Sequence, residues 1–186
     1  MRPGLAQRRF TAEEFHQMGG AGILDEDDRV ELVNGRIIEM AAIGSHHAAC
    51  VARLTRLMQQ RGDEVIVWVQ NPLRLDPHTE LVPDVALLRP RDDFYAGAHP
   101  GPGDVLLLIE VADSTLEYDR QVKIPLYGGA CVPEAWLVDL PHRRIEVFRC
   151  PAAGKGYEEI VEHGAGDAVG SDAIPGLILR AAEILG

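Results

Sequence analysis

Five aliphatic residues in a row, Val105-Leu106-Leu107-Leu108-Ile109, end in a carboxylate, Glu110, before the chain continues as Val111-Ala112. A near-continuous apolar run of this length reads as a central strand buried on both faces, which needs a covering layer on each side. The chain is therefore expected to be α/β. Glu110 is the anomaly in that strand. A carboxylate is costly to bury unless a metal or another cation compensates it; the plain alternative is a surface Glu at a sheet edge.

A second carboxylate, Asp84, follows Pro83 and opens the apolar run Val85-Ala86-Leu87-Leu88. Lys123 lies thirteen residues after Glu110 (123 − 110). Of eighteen basic residues, sixteen are Arg and two are Lys, Lys123 and Lys155. A lysine kept within such Arg-rich usage hints at a place for a compact, single-point ammonium; the alternative is a solvated lysine on an amphipathic helix. Lys155, between Gly154 and Gly156, reads as a loop residue. Two carboxylates at the ends of adjacent strands, with one ammonium beside them, can hold a divalent cation and a water to be deprotonated. Their hard oxygen donors suit Mg²⁺ or Mn²⁺, and metal-dependent phosphodiester hydrolysis is the leading expectation.

Around these residues the elements read as follows. Thr11 caps a first helix, with Glu14 completing a capping box, Phe10 and Phe15 as a staple, and Gly19-Gly20 as the stop. Asn34-Gly35 joins 29–33 and 36–40 as a β-hairpin. Ser45 caps a second helix with apolar residues at Ala48, Val51, Leu54, Leu57 and Met58, ended by Gly62. Residues 64–70 form a strand, and 73–75 and 85–88 flank a turn at Asp76-Pro77-His78. Residues 89–103 form a loop over the strand ends that exposes Phe94 and Tyr95. Residues 116–127 are a third helix, bent or shortened by Pro125. Strands at 135–139, 145–148 and 157–161 follow, and the apolar tail 177–185 is expected to cover a sheet edge. The result is one domain, 1–186, with a mixed sheet flanked by helices.

Composition sets limits on function. The chain has 46% apolar and 25% charged residues, ordinary for a globular protein. No apolar stretch is long enough to span a bilayer, and the basic N-terminus lacks the apolar segment of a signal peptide. Cys50, Cys131 and Cys150 form neither a zinc spacing nor a disulfide framework, which fits a reducing, cytoplasmic setting. The formal charge of −11 opposes tight counterion-release binding to nucleic acid. Weak nonspecific DNA affinity is expected, dependent on a local Arg patch or a dimer groove.

Several short blocks, in order and spacing, resemble a known family. Glu31-Leu32-Val33-Asn34-Gly35, Pro83-Asp84, Glu110-Val111-Ala112-Asp113-Ser114, Tyr118-Asp119-Arg120-Gln121-Val122-Lys123 and Pro133-Glu134-Ala135-Trp136-Leu137-Val138-Asp139 are similar to the Uma-type family of bacterial restriction-endonuclease-like proteins. That family lies in the PD-(D/E)XK nuclease superfamily. The similarity runs from about Phe10 to about Val161. It implies a restriction-endonuclease-like mixed sheet, with the N-terminal helix and hairpin in front of it. Asp84 matches the PD aspartate, Glu110 the second acidic residue, and Glu31 the upstream acidic residue that often joins the site. The superfamily lysine would stand at position 112, which here is Ala; the resemblance implies that it has moved to Lys123. Asp84, Glu110 and Lys123 are the expected catalytic residues. Asp84, Glu110 and the Val111 carbonyl would bind the metal, with Glu31 reached directly or through water. Homodimerisation follows from the habit of such nucleases of cutting two strands as a symmetric pair.

Other residues near these blocks have plainer readings. Gln70 could contact a water or phosphate or simply end a strand, Ser114 reads as a helix cap, and Tyr127 could pack on the Lys123 stem. His46 and His47, at a helix start, are left out of the metal site. Two rival functions stay open: a non-catalytic binding or assembly module that kept the fold, which the acidity favours, and a hydrolase of another phosphorylated substrate.

Overall fold

The computed structural model describes residues 7–25 and 27–186, so most of the basic N-terminal stretch, residues 1–6, lies outside the described residues. Helix α1 (Ala12–Gly20) begins at the capping box: Thr11 Oγ1 accepts from the Glu14 N–H, and the Glu14 carboxylate accepts from the Thr11 N–H. Strands β1 (Val30–Val33) and β2 (Arg36–Glu39) pair as the expected hairpin, with Val33 opposite Arg36. Asn34 and Gly35 both take positive φ, 51° and 77°, as a type I′ turn requires. Gly35 has a second constraint, since a Cβ there would lie 2.5 Å from the Arg9 Cβ.

Helix α2 (Ser45–Gln59) buries Cys50, Val51, Leu54 and Met58. Its cap is Gly44 rather than Ser45, which is already the first helical residue and forms no capping bond. Ala48, expected on the buried stripe, is exposed. Next come β3 (Ile66–Val69), β4 (Leu73–Asp76), β5 (Thr79–Leu81) and β6 (Val85–Leu88). The turn at Asp76–His78 joins β4 to β5, a three-residue strand that the sequence did not suggest, rather than to β6. In the following loop Phe94 is exposed, but Tyr95 is buried. Its hydroxyl donates to the Arg89 carbonyl at 2.8 Å, and its ring meets Trp68 edge-on.

After β7 (Val105–Ala112) the chain forms α3 (Leu116–Tyr118), a π-turn (Asp119–Lys123) and α4 (Ile124–Gly129). Pro125 therefore does not end the helix. The helix widens just before it, and the Ile124 N–H bonds the carbonyl of Asp119, five residues back. Proline has no N–H to offer the preceding turn, and a wide turn is one way to reconcile the backbone with that loss. Gly128 lets α4 lie directly on the following sheet: a Cβ would stand 2.5 Å from the Gly156 carbonyl carbon. Strands β8 (Ala135–Asp139), β9 (Arg144–Ala152), β10 (Gly156–Gly164), β11 (Ala168–Gly170) and β12 (Ile178–Arg180) and helix α5 (Ala181–Leu185) complete the chain.

Six strands form the main sheet in the order β10-β9-β8-β7-β6-β3, antiparallel except for the parallel pair β7–β8. A smaller sheet has the order β2-β1-β5-β4, and β11 pairs with β12. The fold is thus mixed α/β, as expected. Side chains alternate across β7. Leu107, Ile109 and Val111 pack with α2 and α5 on one face, while Leu108 and Ala112 pack with Ile124 and Tyr127 of α4 on the other. The C-terminal tail covers a face, not an edge: Leu177, Ala181, Ile184 and Leu185 enter the core beside α2. No helix among the described residues is long and apolar enough to cross a membrane. All three cysteines are free.

Candidate functional site

Asp84 stands directly before β6, and Glu110 lies near the end of β7. These strands are antiparallel, with Val85 opposite Ile109, so the two carboxylates fall at the same end of the sheet. Alternation along β7 sets Glu110 on the face of Leu108 and Ala112, toward α4. Glu31 arrives from β1 of the smaller sheet, and Lys123 from the end of the π-turn. All four are buried.

The contacts are dense. Lys123 Nζ lies 2.7 Å from Glu110 Oε1 and 3.1 Å from Glu31 Oε1, and donates to the Val82 carbonyl at 3.2 Å. Tyr127 donates its hydroxyl to Glu110 Oε1 at 2.6 Å. Glu31 Oε1 also accepts from the Val82 N–H at 2.8 Å. Asp84 Oδ2 accepts from the Val111 N–H at 2.9 Å and lies 3.0 Å from His47 Nε2, while Oδ1 accepts from Gln70 at 3.1 Å. Glu31, Asp84, Glu110, Val111 and Lys123 all line one cavity of about 270 Å³, together with His47, Tyr118 and Asp119. Lys123 stands between Glu31 and Glu110. Glu31, Asp84 and Glu110 do not form a trio with donor atoms all within 4.8 Å; among the described residues that spacing occurs at His16, Glu80 and His99.

Burial and crowding set the charges. Glu110 is pushed up to about 8, first by burial and then by Asp84, Asp119 and Glu31, against the pull of Lys123. Burial opposes the charge on Lys123, yet Glu110, Glu31 and Asp119 outweigh it and hold the ammonium well above its usual value. For Asp84 burial works upward, but the His47 hydrogen bond and charge, the Val111 N–H and Lys123 bring it below the ordinary range. Asp119 is raised, mainly by burial. His47 is raised by its bond to Asp84. Four buried carboxylates thus crowd Lys123 and the half-buried His47, with Arg29, Glu39 and Asp113 also lining the cavity, and a proton on Glu110 or an added cation would relieve the crowding.

By donor chemistry the residues suit a hard divalent ion: the carboxylates that line the cavity are the oxygen donors that Mg²⁺ and Mn²⁺ prefer. Two polar atoms at the cavity, Tyr118 Oη and His47 Nδ1, are buried without a hydrogen-bond partner, so the protein alone does not satisfy the site.

The sequence reading leaves His47 out of the metal site and marks Tyr118 and Asp119 only as members of a family block. His47 carried a signal: it precedes Cys50, Val51 and Leu54 by three, four and seven residues, which places it on the buried stripe of α2, whereas His46 is exposed. Asp119 and Tyr118 depend on the π-turn, for which the sequence offered no mark beyond Pro125. Ser114 does not cap the helix. Thr115 is at the cap, and its hydroxyl donates to Asp119 Oδ2 at 2.5 Å.

Comparison with known proteins adds to this geometry. The Uma2 family, described as "Putative restriction endonuclease", matches residues 12–182. A solved structure described as "a putative nuclease belonging to DUF820" from Anabaena variabilis ATCC 29413 superimposes with a TM-score of 0.70 at 16% identity, covering 95% of this chain and 97% of that one. The likeness lies in the fold. No curated protein matches the sequence.

Proposed function

This chain belongs to the Uma2 family, and on that premise we propose that it is a Mg²⁺- or Mn²⁺-dependent endonuclease that hydrolyses phosphodiester bonds, with DNA as substrate. The observation that carries this reading is the placement of Lys123. A solvated surface lysine would support a mere scaffold; this ammonium is buried and 2.7 Å from Glu110. Asp84, Glu110 and the Val111 carbonyl are assigned to the ion, with Glu31 joining directly or through water. A bound Mg²⁺ or Mn²⁺ supplies positive charge for the phosphate and lowers the pKa of a coordinated water. Lys123 orients the attacking water and stabilises the charge that develops on the phosphoryl oxygens. Gln70 and the Val111 N–H fix the Asp84 carboxylate, and Tyr127 fixes Glu110.

With a formal charge of −11, the protein grips its substrate weakly and loses it further as salt rises. It works as a homodimer, one site per strand, in a reducing cytoplasm that keeps its cysteines free. The same acidity favours a second reading, a non-catalytic binding or assembly module.

The test is cleavage of plasmid and of linear DNA and RNA by purified protein with Mg²⁺ or Mn²⁺, with EDTA and the Lys123→Ala variant as controls. Cleavage that stops with EDTA and falls in Lys123→Ala supports the nuclease. Equal cleavage by the variant would assign the activity to a contaminant, and silence across substrates and metals would favour the assembly module.

A further inference from the structure

A second group of metal-ligating side chains lies outside the cavity described above. His16 on α1, Glu80 on β5 and His99 in the loop before β7 place one donor atom each within 4.8 Å of one another. None of the three lines the Lys123 cavity. Glu80 is buried and the two histidines are exposed. The imidazoles lie side by side, with centroids 5.5 Å apart and planes inclined by 23°. His16 Nε2 is 2.8 Å from Glu80 Oε1.

The surroundings of Glu80 are those of a ligating carboxylate. Its Oε2 accepts from Arg74 Nε at 3.0 Å, which fixes the carboxylate, and His16 Nε2 lies 2.8 Å from Oε1 and 3.1 Å from Oε2. Hydrogen bonds of this kind orient carboxylate ligands at metal centres. Arg74 also bonds Glu13 at 2.9 Å, so its guanidinium is shared between two carboxylates. Bond lengths of about 2.1 Å in a tetrahedral site put donor atoms roughly 3.4 Å apart, a spacing that small rotations of two exposed histidines can reach.

We propose that His16, Glu80 and His99 form a Zn²⁺ site, separate from the Lys123 cavity, that fastens α1 and the 89–104 loop to strand β5 of the smaller sheet. Two imidazoles and one carboxylate suit zinc, whereas the all-oxygen set around Glu110 suits Mg²⁺ or Mn²⁺. Three protein ligands leave a fourth position for water. The three residues come from segments far apart in the chain, so the ion ties those segments together. It acts on the folded state and adds stability by mass action.

Zn²⁺ titration of chelator-stripped, full-length protein tests this by calorimetry, with Co²⁺ substitution giving a visible absorption signature of the ligand set. Wild type and Asp84→Asn should each take up Zn²⁺ at this site. His16→Gln and His99→Gln, both at exposed positions, should each weaken that binding by at least about ten-fold and alter the Co²⁺ spectrum. Zinc should also slow amide exchange in the 89–104 loop of wild type and not of His99→Gln. The proposal is overturned if His99→Gln and His16→Gln bind Zn²⁺ as wild type does, or if Asp84→Asn alone removes the binding. Neither result bears on cleavage at the Lys123 cavity, which the nuclease assay reads separately.

Discussion

Tyr127 donates its hydroxyl hydrogen to Glu110 across 2.6 Å, and both side chains are buried. The bond ties α4 to β7 at a buried acid of the main sheet. Tyr127→Phe removes the donor and little volume. It should cost about 0.5–1.5 kcal/mol, the range for one hydrogen bond lost while Lys123 still contacts the same oxygen, measured as a lower urea midpoint with an unchanged slope. A midpoint equal to wild type would mean that water replaces the hydroxyl.

Lys123→Met retains the length of the side chain and deletes its charge. Glu31 would then lose the ammonium that pairs it, and Glu110 its nearest cation. In metal-free buffer the variant should lose about 3–5 kcal/mol, as expected when one partner of a buried ion pair is removed. Mn²⁺ should restore part of the melting temperature and none of the cleavage. Lys123→Arg should also cleave poorly, because a planar guanidinium does not fit where a compact ammonium bridges two carboxylates. Cleavage by either variant at the wild-type rate would remove Lys123 from the chemistry.

The pH dependence has a definite sign. Glu110 has its folded value raised from 4.5 to about 8. Folded metal-free protein therefore keeps a proton there that the unfolded chain releases, and the stability linked to it is fully present below about pH 4.5 and lost as pH rises through about 8. A divalent ion needs the ionised carboxylate, so metal affinity should rise over the same interval and binding should release protons. Mn²⁺ titrations in two buffers of different ionisation enthalpy, repeated across that interval, check both points. An affinity flat in pH would show that Glu110 is already ionised without metal.

Asp84→Asn keeps an oxygen to accept from the Val111 N–H and removes the charge. The fold should persist, and the rise in melting temperature caused by Mg²⁺ or Mn²⁺ should vanish. A ligand at a hundred times its Kd stabilises by about 2.7 kcal/mol, large enough to be read unambiguously. An equal metal response in variant and wild type would place the ion elsewhere.

Much of the frame was legible because local rules and tertiary packing agree in it. Thr11 with Glu14, Asn34 with Gly35, and the apolar run before Glu110 each carry their own physical signal, and each lies in the element that signal suggests. Glu110 stood out because burying it is expensive. The parts that were not legible depend on contacts distant in sequence or on short, atypical backbone. Thr79–Leu81 is too brief and too polar at Glu80 to read as a strand, although pairing with β4 and β1 makes it one. His47 meets Asp84 across thirty-seven residues, and only its place on the α2 stripe hinted at burial. Tyr95 looked like a loop aromatic, but a loop carbonyl and the Trp68 ring give it a buried seat.

The π-turn at Asp119–Lys123 holds one amino acid more than the α-turn it replaces. Deleting Gln121 would let the segment close into ordinary α-helix. The flanking turns would keep their phase, because five residues of π-turn cover about the same rotation as four of α-helix, but Asp119 to Lys123 would lose the places that the wide turn gives them. This wall of the cavity is thus set by chain length as well as by side-chain identity. Aligned relatives that share this cavity should tolerate exchanges at Gln121 and Val122, yet admit no gap between Asp119 and Lys123.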